Sequence, residues 1–166
     1  MRAYLQLELT DRDGRVLATR CAYNAVMRQG AELVARLFAG QGSPITHMGV
    51  GTSASPESDA YDTARLTTQG LTGETSAPIT PEAFMITPDV ERRVMRVRVR
   101  ATLPPDAAVT TGEDGAAIRE AGLLSQSEDG TVLYNRVTFD PISKGDDHEL
   151  TLFWEVTFPY GDLTFM

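Results

Sequence analysis

Glu149-Leu150-Thr151-Leu152-Phe153-Trp154-Glu155-Val156-Thr157-Phe158 is the stretch that decides the fold. Leu150, Leu152, Trp154, Val156 and Phe158 fall on one side. Glu149, Thr151, Phe153, Glu155 and Thr157 fall on the other. Successive strand side chains face opposite sides of a sheet, so this is a half-buried antiparallel strand with its apolar side inward. Two extended segments precede it, 118–124 and 131–139. The turn Ser127-Glu128-Asp129-Gly130 joins them, and Asp140-Pro141 ends the second. Gly122, inside the first, marks a bulge.

Further out, 92–103 is the other long strand. Met95, Val97, Val99, Ala101 and Leu103 alternate with Arg96, Arg98, Arg100 and Thr102, and Pro104-Pro105 ends it. Near the N-terminus Leu5, Leu7 and Leu9 alternate with Gln6, Glu8 and Thr10. Asp11-Arg12-Asp13-Gly14 then turns the chain into Val16-Leu17-Ala18-Thr19, a hairpin signal because glycine accepts positive φ. The Asp-x-Asp-Gly wording lacks the later ligands and closing Glu of a calcium loop. Residues 45–52 form a short strand ending in Gly49-Val50-Gly51-Thr52, where glycine signals a bulge or a close backbone approach. No third glycine opens a helix after it, so it is not a dinucleotide fingerprint.

One helix is expected, over 24–38. Asn24 is its N-cap, and Val26, Gly30, Leu33 and Leu37 form an apolar stripe widened by Met27, Val34 and Phe38. Gly40 and Gly42 end it. Residues 53–89 are rich in Ser, Thr, Pro and Gly, and read as a long surface excursion. A short helical turn is expected at 59–66 and a brief strand at Phe84-Met85-Ile86. Residues 109–115 read as a polar loop. The fold class is therefore mainly β: an antiparallel β-sandwich with one covering α-helix and a long inserted loop, in a single domain over 1–166. A tail, 159–166, lies beyond the last strand.

The length suits one domain with a real core. The net charge is −8, and only Lys144 among the 15 basic residues is not arginine. That balance argues against nucleic-acid binding, which needs clustered cations. No apolar run approaches the ~20 residues of a membrane span, and no signal-peptide pattern opens the chain. Cys21 is the one cysteine, so neither an intramolecular disulfide nor a thiolate metal set is available. It reads as a small core or strand-edge residue. His47 and His148 are far apart in sequence, and no nucleophile elbow, zinc-protease pair or phosphate loop is present. The expectation is a protein that is not an enzyme and takes no cofactor or metal.

Three arginines in line down one sheet face repel one another unless acids lie opposite. Either Glu149 and Glu155 supply a cross-strand ladder, or Arg96, Arg98 and Arg100 meet an acidic neighbour. With Phe153, and with Tyr160, Leu163 and Phe165 of the tail, these are the candidate interface residues.

Several segments resemble small tail-associated structural proteins of tailed bacteriophages and related contractile particles, of the tail-fibre, collar or baseplate-attachment type. The resemblance rests on 45–52 and on Ile118-Arg119-Glu120-Ala121-Gly122-Leu123-Leu124. It continues in Leu133-Tyr134-Asn135-Arg136-Val137-Thr138-Phe139, Pro141-Ile142-Ser143-Lys144 and 150–156, in that order. It covers roughly two-thirds of the chain. It departs from the family after Gly-Val-Gly-Thr, where Ser53-Ala54-Ser55 and the long excursion replace a further small residue. The resemblance implies a non-enzymatic virion protein of the tail, assembled in the bacterial host cytoplasm. Its partners are copies of itself in a ring or trimer and other tail or baseplate proteins. Because the chain stops at Met166, a ring or adaptor is expected rather than a fibre. The second reading is a β-sandwich module that binds carbohydrate or a receptor, with Phe153 or Tyr160 stacking on a sugar. The third is a small hydrolase or lyase, which needs acids converging in a cleft.

Overall fold

The computed structural model describes residues 2–55, 61–112 and 116–161. It is mainly β, with antiparallel sheets and a single α-helix. The first sheet has five strands in the order β2 (Val16–Tyr23), β1 (Arg2–Thr10), β13 (Glu149–Pro159), β8 (Val94–Leu103), β7 (Met85–Asp89). The second runs β3 (Ala25–Val26), β12 (Asn135–Ile142), β10 (Ile118–Ser127), β4 (His47–Gly51), β6 (Ser76–Pro78), and β11 (Gly130–Leu133) pairs with β10. A small ribbon joins β5 (Leu71–Thr72) to β9 (Val109–Thr110).

The alternating strands place themselves as their patterns require. Leu150, Leu152, Trp154 and Val156 of β13 are buried between Leu5, Leu7 and Leu9 of β1 and Val99, Ala101 and Leu103 of β8. They meet Met48, Val50, Ile118, Leu123, Val137 and Ile142 of the second sheet in one continuous core. Each fully buried aliphatic side chain of this kind contributes about 1.5–3 kcal/mol.

The two sheets differ on their outer sides, and that difference positions the candidate site. β10 is buried on both faces over most of its length. Its outer side carries a second small core of Met27, Leu124 and Leu133, against which Leu66 and Ala25 pack. The glycines of the second sheet make room for this cover. A Cβ on Gly49 would sit 2.9 Å from Leu124 and 3.0 Å from Leu66, and one on Gly122 would sit 2.5 Å from the Asn135 carbonyl oxygen. Gly122 is thus a site of close approach and not a bulge, since it pairs in register with Gly49. The register shift of β10 against β12 lies between Ile118 and Glu120. The first sheet has no such cover among the described residues.

Several expected boundaries are corrected. The helix is α1 (Arg28–Phe38), not 24–38. Ala25 and Val26 pair with Arg136 and Asn135 as β3 instead, because those ladder bonds satisfy the backbone before the helix starts. Asn24 therefore caps nothing; Met27 holds the N-cap position, with no side-chain hydrogen bond. The expected apolar stripe is only half core. Gly30 and Leu33 are buried, but Leu37 is 39% exposed and Phe38 96% exposed. The stretch 53–89 is no single excursion, for β5, β6, a 3-10 turn at Pro81–Ala83 and β7 lie within it. Of the expected turn at 59–66, residues 59 and 60 lie outside the described residues. Val109 and Thr110 form β9 rather than loop, and β12 continues through Asp140-Pro141 to Ile142. Of the two places expected for Cys21, core or strand edge, it takes the second: it is exposed on β2, the edge strand of the first sheet. β13 extends to Pro159, and the Tyr160 N–H donates to the Arg93 carbonyl at 3.0 Å, so the strand reaches into the expected tail.

Lys144 is the sole lysine and is fully buried. Its Nζ donates to the carbonyls of Pro104 at 2.8 Å and Pro105 at 3.0 Å, fastening the end of β8. Desolvation lowers its pKa below the ordinary 10.5, partly opposed by Asp106, Glu149, Asp146 and Asp147. The folded state thus holds this proton less tightly than the unfolded chain. Stability from Lys144 is complete above 10.5 and is lost as pH falls through the lowered value. Burial pushes the Tyr134 hydroxyl the other way, up to about 12. Its contribution is complete below the ordinary 10.0 and is lost as pH rises toward 12. Urea unfolding measured as a function of pH should therefore show stability rising into the region of 10 and falling beyond it. Lys144→Met should remove the rising limb. A flat profile for the natural protein on the acid side of 10.5 would rule out a desolvated Lys144.

Candidate functional site

The uncovered outer face of the first sheet is the candidate site, and its layout follows from strand register. Thr157 lies beside Arg2 and Arg96, and Arg96 beside Thr87. The next row runs Tyr23, Tyr4, Glu155, Arg98, Met85. Next comes Cys21, Gln6, Phe153, Arg100. Thr19, Glu8, Thr151 and Thr102 follow, with the two threonine hydroxyls of Thr102 and Thr151 2.9 Å apart.

The arginine stripe is unevenly paired. Arg96 meets Asp89 and lies 3.6 Å from Glu155, whose other oxygen accepts from Arg98 Nε at 2.8 Å. Asp89, across the β7–β8 hairpin, is the acid that the sequence pattern did not point to. Glu149 sits opposite Thr10 at the far end of β13 and pairs with none of the three. Arg96 and its acids are mostly sheltered, whereas Arg98 is half exposed. Exposed pairs of this kind contribute under about 1 kcal/mol each. Arg100 stands beside Phe153 and makes no ion pair among the described residues.

Apolar groups lie among these charges. The Tyr4 and Tyr23 rings are 5.4 Å apart and tilted by 55°. The neighbouring Cys21 side chain raises the pKa of the Tyr4 hydroxyl. Tyr23 is 77% exposed and Met85 60%. Tyr4, Gln6, Met85, Arg98, Arg100 and Phe153 line a shallow groove of about 560 Å³ across β1, β13, β8 and β7. Its border strand β7 also exposes Ile86, and the β7–β8 turn exposes Val90.

The structure therefore brings Arg96, Arg98, Arg100 and Phe153 onto one surface. It puts Tyr160, partly exposed, apart from the groove at the end of β13, against the turn residue Arg93. Leu163 and Phe165 lie outside the described residues. Tyr4, Tyr23, Gln6 and Met85 were not singled out in the sequence. Tyr4 and Gln6 were available from the alternation of β1, since they fall on the same side as Glu8. Among the described residues no group of three His, Cys, Asp or Glu side chains is placed to hold a metal. No described helix is long and apolar enough to cross a membrane.

The second sheet holds a buried ion pair. Arg136 Nε donates to Glu120 Oε2 at 2.5 Å, and both side chains are 1% exposed. Glu120 Oε1 accepts the Thr67 N–H at 2.7 Å, and Arg136 Nη1 donates to the Ser55 carbonyl at 2.8 Å. The pair thus ties the chain on both sides of 56–60 to the second sheet.

Fold and site together define an antiparallel β-sandwich covered on one side and offering a mixed aromatic and arginine platform on the other. No protein-family model, curated protein or solved structure matches this chain.

Proposed function

We propose that this chain is a non-enzymatic structural subunit of a phage tail or related contractile particle. Within the tail of the virion it serves as a collar, tail-tube-end, baseplate or fibre-attachment component. It is assembled in the bacterial host cytoplasm into a symmetric oligomer with its own copies and with other tail proteins. One observation carries this reading: one sheet is covered on its outer side, while the other presents Tyr4, Tyr23, Met85, Phe153 and Arg100, which has no ion pair among the described residues, on a continuous face. Large exposed apolar groups gathered on one face mark a protein contact, and Tyr, Met and Arg are the types enriched at such contacts. The resemblance of the sequence to tail-associated proteins supplies the setting. Native mass spectrometry and electron microscopy of the purified protein at rising concentration test the proposal. Closed oligomers of defined order are expected; a particle that remains single at the highest concentration overturns it.

A second reading, a carbohydrate- or receptor-binding module, is favoured by one feature of the same face. Phe153 lies between Gln6 and Arg100, with Glu155 two residues on, an aromatic surface flanked by planar polar groups. A glycan-binding screen separates the two readings, since the assembly reading expects no selective glycan.

A further inference from the structure

Phe38 is the most exposed large apolar side chain described, at 96%, and Leu37 beside it is 39% exposed. They sit at the end of α1, whose first half alone is held down. There Gly30 lies against the Tyr134 backbone, with room for no Cβ, and Leu33 is buried. The end itself is firmly built. Gln41 N–H donates to the Arg36 carbonyl at 2.8 Å and Gly40 N–H to the Leu37 carbonyl at 3.0 Å, with Gly40 at φ 72. This is the paired-bond glycine cap that closes helices. Phe38 is therefore presented on a fixed knob. Within one copy it has nowhere to go, because α1 packs on the second sheet, at β11, and the apolar groove lies on the outer face of the first.

From these two surfaces we infer that Phe38 and Leu37 of one copy seat in the groove between Phe153, Met85 and Tyr4 of the next. This inference rests on the proposal that the chain assembles with its own copies. A projecting ring would meet a shallow groove of about 560 Å³ whose apolar part is formed by Tyr4, Met85 and Phe153. Charge contributes too. A helix C-terminus carries partial negative charge, and the groove offers it Arg100, which has no ion pair among the described residues; Arg98 is already paired with Glu155, which also lines the groove. The Phe38 and Ala39 carbonyls accept no backbone hydrogen bond among the described residues and face that role. The two surfaces differ, so the contact is head-to-tail. Repeated, it closes a ring or, where the rotation does not close, makes an open filament.

The test uses two variants of the full chain. Phe38→Asp removes the knob and keeps the groove; Met85→Asp blocks the groove and keeps the knob. Both side chains are largely exposed, so both variants should fold, which thermal melts by circular dichroism verify. In sedimentation velocity at rising concentration the natural protein should associate. Each variant alone should associate at least about tenfold more weakly, the effect of losing a central aromatic or apolar anchor. An equimolar mixture should form a heterodimer and nothing larger, because one intact knob and one intact groove remain per pair. Arg100→Ser should weaken association less, and mainly at low salt. Variants that assemble like the natural protein would overturn this contact and leave the assembly proposal standing. A mixture that fails to pair would also overturn it. A natural protein that stays single would overturn both.

Discussion

Arg136→Met is expected to cost about 3–5 kcal/mol of unfolding free energy, because it strands the Glu120 carboxylate with no counter-charge in a fully buried site. Domains have only about 5–15 kcal/mol in total, so this single change should remove a large share of the stability. The loss also spreads outward. Glu120 Oε1 receives the Thr67 N–H, and the Thr52 hydroxyl donates to the Thr67 and Gln69 carbonyls at 3.2 and 2.9 Å. Gly51 leaves space for this crossing, as a Cβ there would lie 2.7 Å from the Thr67 carbonyl oxygen. Glu120→Leu combined with Arg136→Met removes both charges and should recover most of the lost stability. It should not restore the tie to Thr67, so amide exchange at Thr67 should stay fast in the double variant. Urea unfolding followed by Trp154 fluorescence measures the first effect. A single variant within about 1 kcal/mol of the natural protein would show that the pair is not the buried tie described.

The same network shows how far the sequence was legible. Periodicity of two located β1, β8 and β13, because one face of each is core and the other is solvent, and register then fixed which arginines share a surface. Periodicity said little about β10. It is buried on both faces, and no alternation survives. Glu120 and Arg136 were not singled out as a pair in the sequence. Nothing local in the sequence announces that a strand segment and a loop 53 residues apart share one carboxylate. The glycines were the closest signal. Gly49 and Gly51 were read as a bulge or a close approach and Gly122 as a bulge; close approach is what the neighbours of all three show. The start of α1 was misplaced for a related reason: Asn24 has the residue type of a cap, but ladder pairing of Ala25 and Val26 with β12 delays the helix. Of the candidate site, the arginines and Phe153 were legible from alternation. Asp89 was not, because it belongs to a short strand inside a stretch whose composition reads as loop.

Trp154→Ala is expected to cost a further quantity of the same size, about 3–5 kcal/mol, for a different reason. Trp154 is 2% exposed on the central strand, flanked by Leu5 on β1 and Val99 on β8, so neither neighbour can close over the void without breaking a ladder. Trp154→Phe distinguishes packing from polarity. The indole Nε1–H is buried and has no acceptor among the described residues. An unpaired buried donor costs about 1–3 kcal/mol. Phenylalanine loses part of the ring volume but sheds that donor, so the two changes oppose each other and the net cost should stay under about 1.5 kcal/mol. Circular dichroism must follow this unfolding, since the only tryptophan is gone. If Trp154→Phe is as damaging as Trp154→Ala, the indole N–H has an acceptor and contributes a hydrogen bond as well as bulk. A mild Trp154→Phe beside a severe Trp154→Ala would instead mean that the ring is kept for its bulk. On that result the central strand stiffens the platform above it, because Trp154 alternates with Phe153 and Glu155 on the outer face, and a void beneath them would let the groove floor sink.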